Sequence, residues 1–162
     1  MSFLSLPPSP HIVISYVSDA SIAAVASAGE QNKSFSARRE QAAGKHTVCV
    51  YVNTDRRTIV GIKILATGFR ERHLLEAPVF SGNLAKYNRY EADVEWSHTF
   101  CRPFPLAEVG RHCGIPAGDK QKKNNVSKVA HINSFCRPAY GGENSKEVLE
   151  RFENLVMTWI PA

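Results

Sequence analysis

The sequence predicts an α+β fold, a curved, mainly antiparallel sheet or small barrel flanked by helices, and three patterns carry that expectation. Between Tyr90 and Phe100, the residues Tyr90, Ala92, Val94, Trp96, His98 and Phe100 share one parity, while Glu91, Asp93, Glu95, Ser97 and Thr99 share the other. That is the period of a half-buried strand. Two apolar runs, Thr47 to Asn53 and Thr58 to Leu65, are parted only by the polar Asn53-Thr54-Asp55-Arg56-Arg57, most simply the turn of an antiparallel hairpin. Near the end of the chain, Val148, Leu149, Phe152, Leu155, Val156 and Trp159 recur at helical spacing behind Ser145 as cap, so a last helix lays an apolar stripe on the sheet.

The elements follow in order. His11 to Val17 is an apolar run of strand length, and Asp19 or Ser18 caps a short helix through Ala20 to Ala26 that Gly29 closes. Residues Glu30 to Ser34 are polar and read as loop. Ser36 to Ala43 has the composition of a turn or two of helix, bearing Arg38 and Arg39 and ended by Gly44. The hairpin comes next. Gly68 to Lys86 has no sustained period and carries Gly68, Pro78 and Gly82, the marks of a long irregular connection of the kind that serves a site. After the strand Tyr90 to Phe100, Pro103 and Pro105 break the chain ahead of a brief helix around Leu106 to Val109. Gly114 to Lys128 reads as an exposed basic loop, Val129 to Phe135 as a short strand, and Pro138, Gly141 and Gly142 as a turn before the last helix. No internal repeat interrupts this order.

At 162 residues the chain has length for one well-covered core, which predicts a single domain over 11–162 behind a flexible leader at 1–10. The leader has neither a basic start nor a sustained apolar stretch, so it does not read as a signal peptide and an intracellular location is expected. The longest apolar runs fall far short of a membrane helix. Cys49, Cys101, Cys113 and Cys136 are widely spaced, which favours free thiols, with Cys49 in a core strand. The formal charge of +5 and pI near 9.1 suit an acidic partner such as nucleic acid.

Tyr87, Asn88 and Arg89 sit on the segment that feeds the central strand, where side chains are free to face a ligand, and an aromatic beside an amide is a way to hold a flat base. Trp96, in parity with Ala92 and Val94, reads instead as a core tryptophan. His98, Cys101, His112, Cys113, His131 and Cys136 crowd one third of the chain, but only His98 with Cys101 and the adjacent His112-Cys113 approach metal-ligand spacing. No metal site and no cofactor are expected, and no Gly-rich phosphate loop occurs.

Four segments, taken in order, resemble a known family. Ile14-Ser15-Tyr16 leading into an acidic helix start is similar to the opening of YTH domains. Cys49 to Leu65, with its Val-Asn turn and Ile59-Val60-Gly61-Ile62, resembles their hairpin. Lys86-Tyr87-Asn88-Arg89-Tyr90 followed by Asp93-Val94-Glu95-Trp96 is similar to their Lys-Trp-x-Gly-Arg-Phe-Asp-Val-x-Trp run, and Pro103 to Val109 looks like the Pro-x-x-Leu element of the related EVE domains. The resemblance covers roughly residues 11 to 110 and implies the PUA-like superfold, to which the YTH, EVE and ASCH domains belong.

YTH domains are readers of N6-methyladenine and EVE-type domains are associated with modified bases, so the resemblance implies a non-enzymatic reader of DNA or RNA that captures a modified, methylated base. Tyr87 matches a cage aromatic where the family has Trp. Ser15 and Tyr16 match the Ser-Tyr pair bordering the pocket, and the second cage position falls near Phe35, with Ser34 as the alternative lining residue. A reader must extrude the base, stack it and satisfy its Watson-Crick edge. Ser15, Tyr16, Phe35, Asn53, Tyr87 and Asn88 are the candidate base-binding residues. Arg38, Arg39, Arg56, Arg57, Arg89, Lys120, Lys122, Lys123 and Lys128 are the candidates for phosphate contacts. The partner expected is a nucleic acid, DNA or RNA, carrying a modified base, with no membrane partner, and a fused or associated effector domain is the further partner such a reader admits. The alternatives are a small ASCH-like enzyme acting on modified nucleosides, or a protein-interaction module that uses the last helix.

Overall fold

The computed structural model describes residues 6, 10–38, 43–73, 76–114, 147 and 150–161. Six strands form one curled, mixed sheet in an α+β arrangement. Strand β1 (Ile12–Val17) runs parallel to β3 (Val48–Asn53), while β3 with β4 (Thr58–Leu65) and β4 with β6 (Tyr90–Pro105) are antiparallel. Strand β2 (Lys33–Ser36) and the two-residue β5 (Arg70–Glu71) both pair antiparallel with the first residues of β6. The expected hairpin of β3 and β4 is present, with Arg57 in the left-handed region at φ 52° in its turn.

Helix α1 (Asp19–Ala28) crosses between β1 and the rest of the sheet, as a parallel pair requires. Its cap is Ser18: the Ser18 hydroxyl accepts from the Ser21 backbone N–H, and the Ser21 hydroxyl accepts in return from the Ser18 N–H. Gly29, at φ 66°, closes it in the left-handed conformation. Helix α2 (Leu106–His112) follows β6 directly, and residues 150–158 are helical.

Two expectations about local structure fail here. Residues Lys33–Ser36, read as loop passing into helix, form β2 instead, because the first residues of β6, Tyr90 to Asp93, offer them an edge to pair with. Pro103 and Pro105 do not end β6, which runs through them: Pro105 lies opposite Thr58 and Phe104 opposite Ile59. The connection from Gly68 is irregular as read, apart from β5 and a 3₁₀ helix, Gly82–Asn88.

The sheet has two faces with different cores. Ile12, Val48, Val50, Val52, Ile62 and Ile64 point to one face, where Leu106 and Val109 of α2 and Phe152 and Val156 of the last helix cover them. Cys49, Leu65 and Ala92 lie on the other, with Val13, Tyr51 and Val94 packed beside them. Strand β3 supplies both by simple alternation. Strand β6 does not alternate simply. Ile64 pairs with Trp96, but Leu65 pairs with Val94, so one extra residue, Glu95, is accommodated in β6. Residues in register share a face, and Ile64 and Leu65 are neighbours; Val94 and Trp96 therefore face opposite ways. Trp96, Phe100 and Phe104 accordingly pack against the helix-covered core, and the shared inward face read for Ala92, Val94 and Trp96 is corrected.

Glu91, placed by parity among the solvent residues, is buried. Strands β2 and β5 flank it on both sides, so no open edge remains there. Its carboxylate is held by the Lys33 ammonium at 2.9 Å, with Arg70 and Arg72 at 3.8 and 4.0 Å. Arg39, Lys120, Lys122, Lys123, Lys128, most of the leader, the strand Val129 to Phe135, the turn after it and the Ser145 cap lie outside the described residues. Among the described residues no helix is long and apolar enough to cross a membrane.

Candidate functional site

The face of the sheet opposite α2 and the last helix is only partly filled. Over it lies a cavity of about 390 Å³, within the range of small-ligand sites. Its floor comes from Tyr51 of β3, Val60 to Lys63 of β4 and Ser97 to Thr99 of β6. One wall is the end of β1 with the apolar side of α1, and the other is Phe35 of β2 with Phe80, Leu84 and Tyr87.

Of the six residues nominated for base binding, Ser15, Tyr16, Phe35 and Tyr87 line this cavity, brought together from β1, β2 and the 3₁₀ helix. Phe80 ties the second wall together, edge-on to Phe35 at 5.2 Å between centroids and to Tyr87 at 5.9 Å. On the Phe35 ring lies the Arg72 guanidinium, 5.4 Å from its centroid, and the Lys86 ammonium is 5.3 Å from that of Tyr87. Tyr16 is 39% exposed, yet loss of water around its hydroxyl end raises its pKa to about 12. Among the described residues Tyr16 and Ile22 are the exposed large hydrophobics, and both line the cavity.

Asn53 and Asn88 do not line it. The Asn53 carbonyl accepts from the Asp55 and Arg56 backbone N–H groups, and its amide donates to Asp19 Oδ1 at 2.8 Å, which ties the hairpin turn to the start of α1. That bond and the nearby Arg56 hold the Asp19 carboxyl below its usual range. The Asn88 carbonyl accepts from the Val79 and Phe80 N–H groups, both at 2.9 Å, and its amide donates to the Phe80 carbonyl at 2.7 Å. Asn88 is engaged with backbone alone and Asn53 joins the turn backbone to the Asp19 carboxylate, so both side chains have their partners outside the cavity.

The sequence reading did not single out the polar floor. The Tyr51 hydroxyl is 2.5 Å from the Ser34 hydroxyl and also meets Ser15, and burial pushes its pKa well up, so it stays neutral. Lys63 donates to the Lys33 carbonyl at 2.8 Å and lies 5.3 Å from the Tyr51 ring centroid; burial lowers its pKa. An alternating strand that turns a lysine inward in step with Gly61 and Leu65 was the one available signal. Ser34, kept as the alternative to Phe35, lines the cavity together with it.

The phosphate candidates scatter. Arg38 and Arg89 are exposed, and Arg89 stacks 5.1 Å from the Tyr90 ring just beyond the 3₁₀ helix. Arg56 and Arg57 stand exposed on the hairpin turn beside Thr54, a cavity residue; the Arg56 side chain is 71% exposed and reaches Asp19 at 3.4 Å. Among the described residues no group of three or more His, Cys, Asp or Glu side chains gathers as metal ligands, and Cys49, Cys101 and Cys113 form no disulfide. No family model matches the chain, and no curated protein and no solved structure matches it either.

Proposed function

We propose that this protein binds nucleic acid and captures a single extruded base, a modified one, in the cavity between α1 and the 3₁₀ helix. The observation that carries the reading is the convergence of Tyr16, Phe35 and Tyr87 on one base-sized space, with Phe80 bracing two of them. Aromatic surface that borders an open cavity gains when a flat ring stacks on it. The exposed Arg38, Arg56, Arg57 and Arg89 supply the sequence-independent attraction to phosphates.

Titration of labelled single strands, with and without methylated adenine or cytosine, tests this reading. Binding should weaken steeply with salt, and Tyr87→Ala should weaken it about tenfold or more, since base stacking is worth about 1–3 kcal/mol by alanine substitution. Failure to bind every strand at low salt would sink it.

A second reading, hydrolysis of a modified nucleoside in the same cavity, draws on Lys63, whose amine burial makes easier to deprotonate. Its test is turnover of modified nucleosides followed by chromatography. The last helix offers little to the interaction-module alternative, because Phe152 and Val156 are spent on the core.

A further inference from the structure

One charged group in the cavity has no task in a simple aromatic sandwich. Lys63 is on β4, in the cavity floor, and its ammonium carries three N–H donors and no acceptor. One donor goes to the Lys33 carbonyl at 2.8 Å. The Tyr51 ring face, 5.3 Å away, adds a cation–π contact and no acceptor atom. Among the described residues no carboxylate lies within ion-pair distance of it, whereas its neighbour Lys33 is matched by Glu91 at 2.9 Å and Glu30 at 3.5 Å. Lys63 is largely buried and lines the cavity, so a ligand that brings an acceptor there would offset the cost of burying its charge.

The walls narrow what that acceptor is. Aromatic and aliphatic side chains dominate them, and Lys33, the other lysine of the lining, is neutralised by its own carboxylates, so a single cation would meet a phosphate dianion. A neutral carbonyl oxygen on a flat ring needs only one or two donors. We propose that Lys63 reads the inserted edge of the base by donating to a carbonyl oxygen there, so that the cavity selects oxo-bases over bases that present an amino group. The inference rests on the base-binding reading and specifies its ligand class. An exocyclic amino group at the same place would set donor against donor and leave the ammonium unpaired. The adjacent Ser34, Tyr51 and Ser15 hydroxyls, each able to donate or accept, accommodate the remaining edge atoms.

The test uses three single strands of equal length and charge: one with a lone hypoxanthine among abasic spacers, one with a lone adenine, and one of spacers only. Hypoxanthine and adenine differ mainly in the oxo or amino group at one ring position. The hypoxanthine strand should bind about tenfold to a hundredfold more tightly than the adenine strand, the range for a hydrogen bond to a charged group. Lys63→Met should abolish that preference and Lys63→Arg should keep part of it, with thermal unfolding confirming that each variant is folded. Tyr87→Ala should weaken both strands alike. If both base-bearing strands beat the spacer strand but bind equally, or if the preference survives in Lys63→Met, the inference is overturned while base capture stands. If neither beats the spacer strand, base capture itself falls, and this inference with it.

Discussion

Asn88 illustrates how a residue can matter to a site it does not touch. Its amide makes three hydrogen bonds to the backbone of Val79 and Phe80, so it holds in place the loop whose Phe80 ring braces Phe35 and Tyr87. Asn88→Ala leaves two backbone donors and one acceptor to find other partners. It should cost about 1–3 kcal/mol of stability in urea unfolding and should weaken ligand binding as well. Unchanged stability would show that the clamp is idle. Asn53 does comparable work between the hairpin turn and α1. From sequence, an amide beside an aromatic suggests a base-binding pair; which groups the amide meets depends on backbone brought from elsewhere. Tyr87 was legible from its place on the segment that feeds a predicted strand, whereas Tyr16 and Phe35 were nominated through the family resemblance. Lys63 was not, because inside an apolar strand nothing in its neighbours says which face is hollow.

Among the elements, β6 determines most of the geometry. It spans both cores, and the extra residue at Glu95 turns its first part toward the cavity face and Trp96 toward the helices. Farther along, β4 and β6 approach so closely at Gly61 that a Cβ there would stand 2.6 Å from the His98 carbonyl oxygen. That oxygen is backbone and cannot swing aside, so the strands would have to part. Gly61→Ala should therefore destabilise by about 1–3 kcal/mol, the usual cost of overpacking, and should disturb the cavity floor that residues 60–63 and 97–99 share. Urea unfolding with binding measured in parallel checks this; a neutral Gly61→Ala would mean that the strands separate freely. The hairpin and α1 were legible since their turn and cap residues are local in sequence. Strand β2 was not: its four residues become a strand only because the edge of β6 is there to pair with.

At the scale of the whole molecule, a thiol in the helix-covered core contributes to the loss of stability at alkaline pH. Cys113 is fully buried in that core, and burial raises its thiol pKa from 9.0 to about 11, with Arg151 pulling weakly the other way. Between these values the unfolded chain gives up the thiol proton while the folded one keeps it, so the unfolded state binds fewer protons and stability falls as pH rises. Lys63 acts in the opposite sense just below 10.5, since its lowered pKa leaves the folded state with fewer protons there. The Cys113 share is isolated by comparing the protein with Cys113→Val. The variant should lose less stability between pH 8.5 and 10.5 by roughly 1–3 kcal/mol. Parallel pH profiles would rule out the buried thiol as the cause.

The amino-acid pattern by itself determined the α+β class, the hairpin, the capped first helix and the apolar stripe of the last helix. Each follows from interactions between residues close in sequence or from a period that a single element repeats. Only the tertiary structure decided that β1 runs parallel to β3, that Val94 and Trp96 part company, that Glu91 is inside, and that Ser15, Tyr16, Phe35 and Tyr87 share a cavity with Lys63 at its floor. Those features depend on strand order and on one inserted residue in a ladder. Pairing between distant segments sets both, and no local preference records which segment will be the neighbour.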